Sequence, residues 1–254
     1  SILAVAGVQA ESAINWRDGE RIAPDAHRTQ VLATPGLAAA EILAPPDLAR
    51  QIRRPLMPGQ DPSVIWRDGW FYLAQSENNE RGVTGIFIYK SRRLDGLSHG
   101  DKRCVWRAPR RGPLSRNIWA PELAWIDGFT AAAASARGHW YVYFAADDGR
   151  NKNHRMYALQ SAGEEALGPY VCKGKIAAPG EDRWAIDGTV IDLEEPLGGG
   201  RKLYFLWSGW EGKYNGMQKL YIAAMRDPWT LAGPRIEISR PDQIWERRSG
   251  PSPC

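Results

Sequence analysis

Trp140-Tyr141-Val142-Tyr143-Phe144-Ala145 is an unbroken run of aromatic and apolar residues, with Gly138 before it and Asp147-Asp148-Gly149 after it. Six such residues between turn signals read as a buried β-strand. Two other stretches read the same way: Trp70-Phe-Tyr-Leu-Ala-Gln75 and Leu203-Tyr-Phe-Leu-Trp-Ser208. The starts of the three lie 70 and 63 residues apart. A fixed period of this size points to a repeated supersecondary unit.

The neighbours of each run fill out that unit. A short apolar strand precedes each: Ser63–Trp66, Glu122–Ile126 and Thr189–Leu193. A third strand follows at Ile86–Ser91, Arg155–Ser161 and Lys219–Met225, and a weaker fourth at Cys104–Ala108, Tyr170–Ile176 and Arg235–Ser239. Asp68-Gly69, Asp127-Gly128 and Gly198-Gly199-Gly200 mark the turns. Four antiparallel strands per unit, repeated along the chain, predict an all-β propeller. An ordinary β-sandwich is the competing architecture. The expected units are 61–110, 115–178 and 182–242, with a stub at 243–254.

The first strand of a propeller blade lines the central channel, so the residues leading into it converge from every blade. Those residues are Gln60-Asp61-Pro62-Ser63, Trp119-Ala120-Pro121-Glu122 and Ala185-Ile186-Asp187-Gly188. Each holds one carboxylate, Asp61, Glu122 or Asp187, at spacings of 61 and 65 residues. Solvated surface carboxylates have no reason to match in phase. Three facing one cavity suit glycoside hydrolysis, in which one carboxyl group protonates the leaving oxygen and another activates water or attacks. Like charges held together also raise the pKa of some members, as a general acid requires.

Composition removes several other classes. The chain has 254 residues, 43% hydrophobic and 24% charged, which excludes global disorder. A net charge of +4 is too small to make nucleic acid the main partner. No apolar run is long enough to span a membrane as a helix. Cys104, Cys172 and Cys254 show no CxxC spacing, and the four histidines, His27, His99, His139 and His154, show no metal-ligand spacing. Arg107, Arg110, Arg111 and Arg116 read as a solvated loop between two units. Twelve tryptophans offer platforms for sugar rings.

Residues 1–10 resemble the end of a secretory signal with a small-residue cleavage site after Ala10, and an ordinary N-terminal strand is the other reading. Export to the periplasm or medium would permit a Cys104–Cys172 disulfide, which spacing alone does not decide. Residues 11–60 read as a lead-in, with a short helical patch near Leu37–Ile42.

The ordered set Asp61-Pro-Ser-Val64, Asn117-Ile-Trp-Ala-Pro-Glu122, Ile186-Asp-Gly-Thr189 and Tyr204-Phe-Leu-Trp-Ser-Gly209 resembles glycoside hydrolase family 43. Asp227-Pro-Trp-Thr-Leu-Ala-Gly-Pro234 and Trp245-Glu246 resemble its arabinan-active members in particular. The resemblance runs from about Asp61 to Glu246 and implies a five-bladed β-propeller, of which about three blades are present. It implies an inverting glycosidase acting on α-L-arabinofuranosyl or β-xylosyl linkages of an oligo- or polysaccharide. Asp61 would be the general base, and Asp187 would orient the acid and raise its pKa. Glu122 would be a funnel residue, and Trp119 either a sugar-facing ring or a wedge in the blade core. No cofactor is implied, and a structural calcium or halide ion belongs only to the complete propeller.

The sequence departs from the family at the general acid, a glutamate in a Glu-Gly-Pro motif shortly after the Trp-Glu pair. Here Trp245-Glu246 is followed by Arg247-Arg248-Ser249-Gly250-Pro251. Glu246 is the only carboxylate nearby. The expectation is therefore a C-terminally truncated copy without its acid, poorly soluble and inactive alone. A non-catalytic carbohydrate-binding fragment is the alternative. An unrelated propeller enzyme of the sialidase type should show an arginine cluster on the funnel, and none is evident.

Overall fold

In the computed structural model, residues 56–78, 84–128, 138–194 and 200–247 are described. All belong to a compact unit beginning at Arg54. The expected signal remnant and helical patch, and all but the last few residues of the lead-in, lie outside the described residues. Those residues form three antiparallel sheets. The first has the order β1 (Ser63–Arg67), β2 (Trp70–Asn78), β3 (Thr84–Ser91), β4 (Asp101–Arg107). The second is β5 (Arg116–Ile126), β6 (His139–Asp147), β7 (Arg155–Ser161), β8 (Tyr170–Ile176). The third is built on β9 (Ala185–Glu194), β10 (Arg201–Trp210) and β11 (Gln218–Asp227), with β12 (Thr230–Leu231) and β13 (Ile236–Ser239) both pairing β11. These are blades of a propeller: strands follow one another in sequence order within each sheet, and the sheets stack face to face.

Strand β6 shows why the sequence takes this form. Trp140, Val142, Phe144 and Ala146 pack toward the first blade, in one core with Tyr72, Ala74, Ile86 and Ile88. The alternate residues Tyr141, Tyr143 and Ala145 pack toward the third blade, against Leu203, Phe205 and Trp207. A strand buried on both faces has no polar side to show, hence its unbroken apolar run. Aromatic pairs fill both seams. Tyr72 meets Trp140 at 4.8 Å, and Tyr143 meets Phe205 at 5.5 Å. The buried Tyr143 hydroxyl crosses the second seam to donate to the Pro228 carbonyl at 2.7 Å. Each buried aromatic contributes about 1.5–3 kcal/mol of burial free energy.

Two details differ from the sequence-based expectation, and the Cys104–Cys172 pairing that it left open is absent. The first strands of blades two and three start earlier, at Arg116 and Ala185, because pairing resumes beyond bulges near Trp119 and Asp187. The outer position of blade three is shared by β12 and β13, because the chain turns tightly at Pro228 and Trp229 before returning. Cys104 and Cys172 are free thiols. The Cys104 thiol points to the Trp106 carbonyl at 3.4 Å, and burial raises its pKa.

Candidate active site

The three channel-lining strands carry their carboxylates to one region, and the backbone there is strained. Among the described residues, five non-glycine positions adopt left-handed backbone: Asp61 (φ 49°), Asp68 (51°), Asn117 (48°), Ala120 (42°) and Asp187 (52°). Asp68 belongs to the ordinary Asp-Gly turn of the first hairpin. The other four are candidate carboxylates or their near neighbours. Such residues cost on the order of 1–3 kcal/mol each and cluster where a side chain must be re-aimed. On β5 the strain falls at two register shifts, between Arg116 and Trp119 and between Trp119 and Glu122. On β9 it falls at the irregularity opposite Leu206 and Ser208. Bulges turn side chains out of a regular ladder.

A hydrogen-bond bridge locks the first two blades together at the funnel. The buried Ser63 hydroxyl accepts the Leu123 backbone N–H at 3.0 Å and donates to Glu122 Oε2 at 3.3 Å. Burial raises the Glu122 carboxyl above the usual range. The Ser63 hydrogen bond opposes this, and the Asp187 charge adds to the rise. The Asp187 carboxyl is also raised, first by desolvation and then by the charge of Asp61, with His154 acting the other way. Asp187 remains open to solvent although protein surrounds it on several sides. Asp61 is exposed. Asp187 therefore senses Asp61, and Glu122 senses Asp187, electrostatically across blades.

Trp119 is half-buried, packed against the core between blades two and three, and stacked on the imidazole of His154 at 4.0 Å and 30°. The ring thus fills a seam between blades, and its stacking partner His154 lies within electrostatic reach of Asp187. His154 and Asp147 are fully buried and were not singled out from the sequence, because each is a lone polar residue at a strand boundary. Their signal is their convergence. His154 Nδ1 lies 3.1 Å from Asp147 Oδ2, and its Nε2 lies 3.2 Å from the Asn117 carbonyl. Next to this group a cavity of about 330 Å³ opens between the first two blades, lined by Gln60, Glu77, Arg116, Asn117 and Trp119 among others.

Glu246, the only carboxylate near the expected position of the acid, sits on an exposed 3₁₀ turn and accepts the Gln243 backbone N–H at 2.8 Å. It caps its own turn. The linker arginines are exposed, and Arg116 donates to the Arg110 and Ser115 carbonyls, as a blade-connecting loop would. Among the described residues no three His, Cys, Asp or Glu side chains gather to hold a metal ion.

The fold is that of a propeller with strained carboxylates at the first strands of its blades, and comparison with known proteins gives its family. Residues 52–251 match Glycosyl hydrolases family 43, and the chain belongs to that family. It is 30% identical over 235 residues to an extracellular exo-α-(1→5)-L-arabinofuranosidase of Streptomyces chartreusis, covering 88% of this chain and 65% of the relative. It is 29% identical over 189 residues to α-L-arabinofuranosidase 43 of Humicola insolens, covering 74% of this chain and 35% of the relative. The crystal structure of an α-L-arabinofuranosidase from Lactobacillus brevis superposes with a TM-score of 0.64 at 30% identity, covering 78% of this chain and 59% of that one. The chain thus spans between about a third and two thirds of the length of these proteins.

Proposed function

We propose that these blades form the sugar-binding and water-activating wall of an inverting glycosidase that releases α-L-arabinofuranosyl units from an oligo- or polysaccharide. One observation carries this reading: desolvation raises the Asp187 and Glu122 carboxyls, and the Asp61 charge adds to the first and the Asp187 charge to the second. Carboxylates that perturb one another in a cleft are candidates for acid–base work. Asp61, which is exposed, takes the proton from the attacking water. Asp187 holds the acid in orientation and, by its negative charge, keeps it protonated. Glu122 and Trp119 shape the sugar subsite. The acid itself is assigned to none of the described residues.

The names of the relatives favour arabinofuranosyl over xylosyl substrates, and the name of the Streptomyces relative favours export. The absence of an assigned acid favours a second reading, saccharide binding without turnover. The two separate on 4-nitrophenyl α-L-arabinofuranoside and its β-xyloside, followed by ¹H NMR. Release of arabinose with its anomeric configuration inverted supports the enzyme. Arabino-oligosaccharide binding with no release supports the second reading. A product of retained configuration contradicts the assignment of Asp61 as base.

A further inference from the structure

Four aromatic rings form a ladder along the funnel side of blades two and three. Trp119 stacks on His154, His154 meets Trp184 edge-on at 6.4 Å, and Trp184 stacks on Trp210 at 4.8 Å and 11°. Trp184 and Trp210 are buried, so they are support and not sugar platform. Trp119 is the half-buried rung. His154 is the one polar rung, and it is clamped on both sides. Nδ1 faces Asp147 Oδ2 at 3.1 Å, Asn151 Oδ1 at 3.0 Å and the Asn151 carbonyl at 3.2 Å. Nε2 faces the Asn117 carbonyl at 3.2 Å.

All of these partners are acceptors, and the Asp147 carboxylate is one of them. That carboxylate is fixed in turn by the Asn117 amide, at 3.0 Å to each oxygen, and by the Gly149 N–H at 2.7 Å. Asn117 is thus held twice, by its side chain on Asp147 and by its carbonyl on His154. It is also a left-handed residue two positions before Trp119. A rotation at Asn117 would swing the indole.

We propose that His154 is a positioning residue: locked between Asp147 and the Asn117 carbonyl, it fixes the Trp119 indole beside the funnel carboxylates. Removing one partner of a buried pair is strongly destabilising, so a variant alone does not suffice as a test. The first test therefore uses the unaltered protein. Nuclear Overhauser cross-peaks should connect the Trp119 and His154 rings, with Trp119 identified by the indole N–H signal lost in Trp119→Phe. Their absence overturns the proposal. In His154→Gln the Trp119 indole signal should shift while those of Trp66 and Trp70, on the first blade, stay. An unmoved Trp119 signal also overturns it.

A second arm rests on the proposed arabinofuranosyl site. The affinity for α-1,5-arabinotriose should fall about tenfold in His154→Gln, the upper end of an aromatic contact's value. In a Trp119→Phe background the same change should add nothing. Equal losses in both backgrounds contradict positioning through Trp119. If the unaltered protein ignores arabinotriose, the functional reading fails, and the NMR arm still decides the role of His154.

Discussion

The Ser63 hydroxyl, on the first strand of one blade, donates to Glu122 Oε2 on the first strand of the next across 3.3 Å. The same oxygen accepts the Leu123 N–H at 3.0 Å, so one small side chain ties the channel-lining strands of two blades at the funnel. Ser63→Ala leaves a buried backbone N–H without its partner, at a cost of about 1–3 kcal/mol. It also removes the interaction that holds the Glu122 pKa down. Denaturant unfolding should show the loss, and an unchanged midpoint would contradict the bridge.

Glu122 itself should weaken the fold at neutral pH. Its folded pKa lies above the ordinary glutamate value of about 4.3, so between the two values the folded state holds more protons than the unfolded one. Stability therefore falls as pH rises through that window. Glu122→Gln can still accept the Ser63 hydrogen bond and carries no charge. It should melt at a higher temperature than the unaltered protein at pH 7, and the gain should vanish well below pH 4. A lower melting temperature for the variant at pH 7 would contradict the burial argument.

Asp61→Asn should lower hydrolysis by about 10²–10⁴-fold, since an amide cannot take a proton from water. The circular dichroism spectrum should not change. Turnover of an aryl α-L-arabinofuranoside at the unaltered rate would remove Asp61 from the mechanism.

Asp187→Asn should discriminate between leaving groups. A residue that keeps the acid protonated matters most where protonation is most needed. Alkyl glycosides should lose more activity than activated aryl glycosides, and equal losses would argue against this role.

Gly188, next to Asp187, is wedged between Phe205 of its own blade and Met156 of the neighbouring one. A Cβ there would stand 2.4 Å from Phe205 Cζ and 2.7 Å from Met156 Cε. Gly188→Ala should cost about 1–3 kcal/mol by overpacking and shift Asp187. A melting temperature within error of the unaltered protein would show that the seam yields freely.

The blade repeat was legible because strands buried on both faces, such as β6, must be apolar throughout and are closed by obvious turns. The three carboxylates were legible because equivalent strands deliver equivalent positions to one axis. The bulges at Trp119 and Asp187 were not, since left-handed backbone at Ala120 leaves no compositional mark. At the outer edge of blade three, β13 was legible and β12 was not. A turn at Pro228 splits that edge into two short pieces, each pairing β11. Asp147 and His154 were missed because their meaning lies in one another, and six residues of hairpin separate them in sequence. Only folding brings them behind Trp119.

The central claim is that carboxylates from separate blades act as one electrostatic unit. The most direct test is a ¹³C NMR titration of the Asp187 carboxyl carbon, in the unaltered protein and in Asp61→Asn. The account predicts a midpoint above the ordinary aspartate range in the unaltered protein, falling toward that range once the Asp61 charge is removed. The same midpoint in both proteins would contradict it.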